Sequence, residues 1–134
     1  LLLTAALEDT YKIFEQKKSL FMHIHQTALN TFKKDENISL EQLKTKMITL
    51  FDLNDLQIDL YLIDKNYVIT DATFKKDIGL DFKNLPDAKM YLDKASQDNE
   101  IHIADNVAID YMDSTIKIYT CARIDDERYL ECDP

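Results

Sequence analysis

Basic and hydroxyl side chains alternate with apolar ones along residues 115–124, a spacing that could build a pocket for a small anion. In a β-strand, Lys117, Tyr119, Cys121 and Arg123 would share one face, because side chains alternate at a period of two. The opposite face would hold Ile116, Ile118, Thr120, Ala122 and Ile124. Two cations beside a phenol hydroxyl are the chemistry of an anionic-ligand pocket. The alternative is that Lys117 and Arg123 are solvated and neutralise nearby carboxylates.

The two cysteines, Cys121 and Cys132, lie in neighbouring strand-like segments and could form a disulfide. A turn centred on Asp126-Glu127 would pair residues whose numbers have a constant sum, which places Cys121 opposite Cys132. Opposed Cβ atoms lie about 4.5–5.5 Å apart, close to what a disulfide needs in an oxidising compartment. The alternative is two separate buried thiols. Two cysteines without a C-x-x-C pair do not indicate zinc.

The remaining polar residues do not form a catalytic or metal-binding pattern. His23 and His25 are two apart, so on a helix they point in different directions, and His102 stands alone in a short strand. Residues 64–66 begin like a calcium loop but are followed by Tyr67, and the glycine that such a loop requires is missing. No P-loop or dinucleotide fingerprint occurs. We therefore expect no catalytic residue, metal or cofactor; an enzyme would need the acidic residues of 105–113 to hold a metal or a strongly perturbed carboxylate.

A long helix is predicted for residues 1–32, which contain neither Pro nor Gly. Its apolar residues recur at steps of three, four and seven: Leu7, Tyr11, Phe14, Phe21, Ala28 and Phe32. Such a helix is longer than an isolated domain of this size needs, which favours a connecting rod or pairing with a second copy of the chain. The alternative is that the whole stripe packs on a sheet.

Two further helices and five strands complete the pattern. Ser39 and Gln42 form a capping box that opens a helix at about 40–51, and Pro86 suits the first turn of a helix at 85–96. The predicted strands are 57–63, 67–70, 100–104, 115–124 and 129–132. Short connections favour antiparallel neighbours, so the expected fold is α+β, with the long helix on one face of a twisted antiparallel sheet. The 85–96 helix and its loops would roof a ligand pocket on the other face.

Length and charge narrow the class of protein. A chain of 134 residues, 46% hydrophobic and 31% charged, is long enough for a single globular domain with a real core. Its formal net charge of −9 should repel nucleic acids and anionic lipid. No run is long enough to span a bilayer, and Leu1 to Leu3 could be either the end of a span or the start of the first helix.

The segment 58–82 resembles the first hairpin of a Cache-type sensor domain, an extracytoplasmic branch of the PAS-like folds. That pattern reads as a hydrophobic strand, Asp-x-(Asn/Asp/Gly), a second strand, Thr, and Ile-Gly-x-(Asp/Asn)-(Phe/Leu). Here these positions are residues 61–66, Val68-Ile69, Thr73 and residues 78–82. The order of elements from Leu1 to Pro134 also follows the family. The resemblance implies a single sensor domain over 1–134, with the helix at 1–32 and the sheet and pocket at 57–134.

The resemblance also implies ligand-binding positions. Members that bind amino acids carry an Arg-x-Trp pair on the roof, a Tyr shortly before the fourth strand and an Asp at the end of the fifth. Tyr111 and Asp133 match the last two. The Arg-x-Trp positions hold other residues in either alignment: Leu85 and Asp87, or Lys89 and Tyr91. The candidate ligand-binding residues are Tyr91, Tyr111, Asp113, Lys117, Tyr119, Arg123 and Asp133.

These expectations describe the periplasmic or extracytoplasmic part of an inner-membrane receptor that senses a small carboxylate or an amino-acid-like metabolite. The output would be a histidine kinase, a chemoreceptor or a diguanylate cyclase, the membrane would be reached only through flanking segments, and the domain itself would not be an enzyme. The alternative is a cytoplasmic PAS-like module that dimerises through the first helix and binds no small molecule.

Overall fold

The chain folds as an α+β protein in which a long N-terminal helix accompanies a five-stranded antiparallel sheet. The computed structural model describes residues 2–104, 108–110 and 115–133. Its helices are α1 (Leu2–Lys34), α2 (Leu40–Phe51) and α3 (Pro86–Ala95). In the described ranges no helix is both long and apolar enough to cross a membrane. The predicted α+β class, with its long helix and antiparallel sheet, is confirmed.

The strands in chain order are β1 (Asp59–Asp64), β2 (Ile69–Ala72), β3 (His102–Ile103), β4 (Ala108–Asp110), β5 (Thr115–Lys117), β6 (Thr120–Arg123) and β7 (Arg128–Asp133). The five-stranded sheet has the order β2-β1-β7-β6-β3, and β4 pairs with β5 in a separate ribbon. The strand predicted at 115–124 is thus two strands, because regular pairing stops at Ile118 and Tyr119.

The ends of α2 and α3 follow from local sequence signals. Ser39 Oγ accepts a hydrogen bond from the Gln42 backbone N–H at 3.1 Å, and the Gln42 side chain accepts one from the Ser39 N–H at 3.0 Å. This capping box satisfies two donors that have no partner within the helix. Pro86 occupies the first turn of α3, where its missing N–H costs nothing. Both predicted helix starts are confirmed to within one residue.

Only the C-terminal half of α1 enters the core, among the side chains that the structure describes. Its buried residues are Phe21, Ile24, His25, Ala28, Leu29 and Phe32. Tyr11, predicted to belong to the packed stripe, is 64% exposed, and Phe14 is half-buried. The alternative that the whole stripe packs on the sheet is therefore wrong at Tyr11, whereas Phe21, Ala28 and Phe32 are buried as that alternative requires.

The sheet separates two hydrophobic clusters, because alternate residues of each strand face opposite sides. On one side, α1 and α2 pack against Leu60, Ile118, Ala122, Leu130 and Cys132, together with other buried residues. On the other side, α3 packs against Tyr61, Ile63, Ile69, Cys121 and Tyr129. The predicted division of 115–124 is confirmed for the side chains that are described: Ile118 and Ala122 face the long helix, and Cys121 faces the roof.

The β1–β2 turn forms where the sequence predicts it. The Asp64 carboxylate accepts hydrogen bonds from the backbone N–H groups of Asn66 (2.8 Å) and Val68 (3.1 Å), and Tyr67 adopts a positive φ of 66°. An aspartate at the start of a turn commonly binds backbone donors in this way. Thr73 ties the end of β2 to the start of β1: its hydroxyl donates to Asp59 at 2.7 Å and accepts from the Leu60 N–H at 2.9 Å.

The register of the last hairpin differs from the prediction by one residue. Cys121 pairs with Glu131, and Cys132 pairs with Thr120. The turn is longer by one residue because Asp125 Oδ1 accepts a hydrogen bond from the Glu127 N–H at 2.9 Å. A one-residue shift moves a side chain to the other face of a sheet, so Cys121 and Cys132 lie on opposite sides. The predicted pairing of Cys121 with Cys132 is therefore wrong, and of the two alternatives the structure shows two separate buried thiols.

Candidate ligand-binding site

The candidate site is a cavity on the side of the sheet that faces α3. It encloses about 570 Å³ between strands β1, β2 and β7, helix α3, and the segment 74–85 that connects β2 to α3. A cavity of this size falls in the range of small-molecule sites. Its position agrees with the predicted pocket, which was placed under the roof formed by this helix and its loops.

Gly79 shapes the segment that closes one side of the cavity. Its φ of +93° is a conformation that side-chain-bearing residues rarely adopt, and a Cβ added there would meet no atom within 4 Å. The Gly79 N–H donates to the Ile69 carbonyl at 2.8 Å, and the Ile69 N–H donates to the Leu80 carbonyl at 3.0 Å. These two bonds hold the segment against β2 and place Leu80 and Phe82 in the cavity lining.

Apolar side chains form much of the lining. They include Ile69, Phe82, Ala88 and Ile103, together with Leu80, Leu85 and Met90 at the exposed rim. The three rim residues are each at least 40% exposed although they are large and apolar. Exposed apolar side chains beside a cavity are typical of surfaces that a ligand covers.

Carboxyl groups dominate the polar lining. The described residues of the lining carry four acidic side chains (Asp77, Asp87, Glu131 and Asp133) and one basic side chain (Lys94). No group of three or more His, Cys, Asp or Glu side chains in the described ranges has a geometry that would hold a metal ion. The acidic groups are thus distributed around the cavity wall.

Glu131 is the most deeply placed of these groups, at 7% exposure in the middle of β7. Burial raises the pKa of its carboxyl to about 8, and the negative charges of Asp133 and Asp77 act in the same direction. At neutral pH the protonated form of Glu131 therefore predominates. Such a shift is common where a carboxyl group serves a binding or catalytic role, because ordinary structural carboxyls remain in water.

Three tyrosines lie around the same carboxyl groups. The Tyr61 hydroxyl donates to Asp77 Oδ2 at 3.0 Å. Burial raises the pKa of Tyr91 well above its usual value, and among the charges that act in the same direction are those of Glu131 and Asp133. Burial also raises the pKa of Tyr119 above its usual value, and the charges of Asp133 and Glu131 act in the same direction. Electrostatic coupling of this kind indicates that the phenols and carboxyl groups share one polar region of the cavity.

The Tyr91 hydroxyl has no hydrogen-bond partner among the described residues. Its side chain is 8% exposed, and the oxygen is fully buried. Most buried hydroxyls are hydrogen-bonded, so an orphan group in a cavity wall marks a position at which a ligand or an ordered water can bind. Tyr91 is therefore a functional candidate on geometric grounds.

Three of the seven predicted ligand-binding residues, Tyr91, Tyr119 and Asp133, line the cavity. Tyr111 and Asp113 lie outside the described residues, and for Lys117 only the backbone, in β5, is described.

The structure does not bring Arg123 to the cavity. Its guanidinium donates to Asn99 Oδ1 at 2.9 Å and to the Ser96 carbonyl at 3.4 Å, near the C-terminus of α3. It also lies 3.8 Å from Asp126. Arg123 thus links β6 to the end of the roof helix and is not among the residues that line this cavity, so its ligand-binding role stays a prediction.

The three histidines lie in different environments. His25 is completely buried, whereas His23 is exposed and contacts the Phe51 ring edge-on at 5.3 Å. His102 Nε2 lies 2.7 Å from Asp98 Oδ1. None of the three lines the cavity.

Asp77, Glu131 and Lys94 were missed by the sequence-based selection. Glu131 stands between the apolar Leu130 and Cys132 in a strand, and an acidic residue within an otherwise buried run is a signal that could have identified it. Asp77 and Lys94 carried no such signal, because both lie in polar segments of the sequence.

Comparison with known proteins provides no relative for this chain: no protein-family model matches it, and no curated protein is significantly similar in sequence.

Proposed function

We propose that this chain is the extracytoplasmic small-molecule sensing domain of a membrane signal-transduction receptor, with a PAS-like fold of the Cache type. The observation that carries the proposal is the cavity under α3, with the buried carboxyl of Glu131 and the orphan hydroxyl of Tyr91 in its wall. The sheet order β2-β1-β7-β6-β3 is compatible with a PAS-like fold.

A route from the cavity to the long helix supports a signalling role. Tyr119 lines the cavity, and the next residue, Thr120, lies 2.8 Å from His25 on α1 through Oγ1 and Nδ1. A ligand that stabilises one position of this part of the sheet would therefore also favour one position of α1. The output domain of the receptor would read that difference.

The test begins with native mass spectrometry of the freshly purified domain, followed by gentle denaturation, which releases any retained small molecule for mass determination. A thermal-shift screen with a metabolite panel then measures ligand-dependent stabilisation. Ala88→Phe, which fills the cavity, should abolish the response. Lys89→Phe places the same side chain at the neighbouring exposed position outside the lining and should retain it. If nothing is retained and no compound stabilises the domain, the sensing proposal fails.

A dimerisation module is the second candidate, and the N-terminal half of α1 favours it. Ile13 and Leu20 lie seven residues apart, so they share one helix face, and they are 47% and 40% exposed. A second copy of the chain could cover that stripe. A stable dimer that retains and binds no small molecule would favour this module over the sensor.

A further inference from the structure

We propose that the ligand of this cavity is an organic cation, an ammonium or amidinium group on an apolar body, and that Glu131 binds its charge. This inference rests on the proposed sensing function and specifies the chemical class of the ligand. The sequence indicated a small carboxylate or an amino-acid-like metabolite, and an organic cation departs from the first of these two classes.

The charge of the cavity lining favours a cationic ligand. The described residues contribute four carboxyl groups and one ammonium group, and the guanidinium of Arg123 lies elsewhere, bound to Asn99. Charges interact strongly in a partly enclosed site because little water screens them. A carboxylate ligand would meet repulsion from Asp77 and could not use Glu131 as a charged partner. A cation would be attracted, and it would favour the carboxylate form of Glu131.

The position of Glu131 also favours a cationic ligand. Across the sheet it lies opposite Tyr61 on β1 and Cys121 on β6. The negative charges of Asp133, on the same strand, and of Asp77, in the 74–85 segment, add to the effect of burial in raising the pKa of Glu131. The α3 helix contributes Tyr91 and Lys94 to the cavity wall, and Tyr119 comes from the segment before β6. Lys94 is the sole cation among these described groups, and it is exposed.

The hydroxyl of Tyr91 favours a ligand with hydrogen-bond donors, independently of the acidic groups. It is more than nine-tenths buried, lines the cavity and has no partner in the described part of the chain. A phenol oxygen can accept a hydrogen bond, and an alkylammonium has three donors to distribute. One donor to Glu131 and one to Tyr91 would satisfy both groups.

The apolar rim defines the rest of the ligand. Leu80, Leu85 and Met90 line the mouth of the cavity and remain exposed. A bare metal ion or ammonium would leave them in water, whereas an alkyl or aryl group would cover them. The site therefore fits an amphipathic amine.

Binding of such a cation would be coupled to proton release. Burial holds the pKa of Glu131 near 8 in the empty site, so the carboxyl is mostly protonated at neutral pH. The cation favours the carboxylate, and the carboxyl proton passes to the buffer as the ligand binds. Affinity should then rise up to about tenfold for each unit of pH from about 6 to 8.

The experiment compares three probes of one shape: 2-phenylethylammonium, 2-phenylethanol and 3-phenylpropanoate. Isothermal titration with the 134-residue chain at pH 7 measures the affinity of each probe. Titration of the cation in phosphate and in Tris, which differ in ionisation enthalpy, counts the protons released. We expect the cation to bind at least about tenfold more tightly than either other probe, since a charge-assisted hydrogen bond is worth more than a neutral one.

Variants assign the effect to Glu131 and Tyr91. Glu131→Gln should lower the affinity for the cation by about tenfold or more and abolish proton release. Glu127→Gln removes the same charge from an exposed turn residue and should change neither. Tyr91→Phe should weaken binding several-fold while circular dichroism and the melting curve show that the domain remains folded.

The outcomes separate this inference from the proposal on which it rests. Tighter binding of 3-phenylpropanoate, or cation binding that Glu131→Gln leaves unchanged, overturns the organic-cation inference while the sensor proposal stands. The inference is also overturned if none of the probes binds but a non-cationic compound of the metabolite panel does. If neither the probes nor any panel compound binds, the sensing function itself fails.

Discussion

His25 on α1 and Thr120 on β6 are joined by a hydrogen bond of 2.8 Å between Nδ1 and Oγ1, in the core that connects the long helix to the sheet. Burial lowers the pKa of His25 to about 3, so the imidazole is neutral at physiological pH. Its Nε2 has no partner among the described residues. Thr120 therefore provides the ring with its one described hydrogen bond.

Thr120→Val should destabilise the domain by about 1–3 kcal/mol, because it leaves both imidazole nitrogens of His25 buried without a described partner. Chemical denaturation monitored by circular dichroism at pH 7 measures the change. The control is Thr49→Val on the exposed side of α2, which should shift the free energy of unfolding by no more than about 0.5 kcal/mol. Equal effects of the two substitutions would show that the His25 contact contributes nothing.

Glu131→Gln should become progressively more stable than the wild type as the pH rises from 5 to 8. The pKa of Glu131 is raised from 4.5 to about 8 on folding. Its favourable contribution to stability is therefore complete below about 4.5 and is lost as the pH rises through 8. Urea unfolding at several pH values in this window gives the difference between the two proteins. Glu127→Gln should show no such trend, and a pH-independent difference for Glu131→Gln would mean that the carboxyl is not buried in this way.

Cys121 and Cys132 should remain unlinked under oxidising conditions, because their side chains lie on opposite faces of the sheet. Both are buried, and burial raises the pKa of each thiol. A thiol reagent should thus label neither residue in the native domain and both after unfolding. Intact mass after mild oxidation tests the register directly: loss of two hydrogens from a monomer would require Cys121 and Cys132 to face each other.

Gly79→Ala should lower the free energy of unfolding by about 1–2 kcal/mol, because the positive φ of +93° is unfavourable for any residue with a Cβ. The added methyl group meets no atom within 4 Å, so the cost comes from the backbone and not from a clash. Thermal unfolding measures it, with Lys76→Ala in the same exposed segment as the control. A neutral Gly79→Ala would show that this segment tolerates another backbone conformation.

Replacement of the exposed stripe of α1 should weaken self-association if two copies pair there. Ile13→Gln combined with Leu20→Gln removes apolar area from one helix face. Lys12→Gln combined with Ser19→Gln alters exposed positions on a neighbouring face and should leave association unchanged. Sedimentation equilibrium of the three proteins gives the dimer dissociation constants. An unchanged constant in the first variant would exclude this stripe as the dimer contact.

Much of the fold could be predicted from the sequence, because the signals are local. The capping box of Ser39 and Gln42, the position of Pro86 and the Asp64 turn each act over a few residues. From Ile118 onward, successive side chains point to opposite faces of the sheet. This period of two assigns each side chain to a face whatever strand lies beside it. Local hydrogen bonds and strand periodicity thus determined the elements and the two faces of the sheet.

The site depended on contacts between distant parts of the chain. Asp125 accepts a hydrogen bond that lengthens the last turn by one residue, and this places Glu131, not Cys132, opposite Cys121. Asp77 and Glu131 are far apart in sequence but line one cavity, and Arg123 is held away from it by Asn99. A charge pattern along a strand shows which residues share a face. Only tertiary packing decides which of them reach the same cavity, and hence its net charge and the burial that raises the pKa of Glu131.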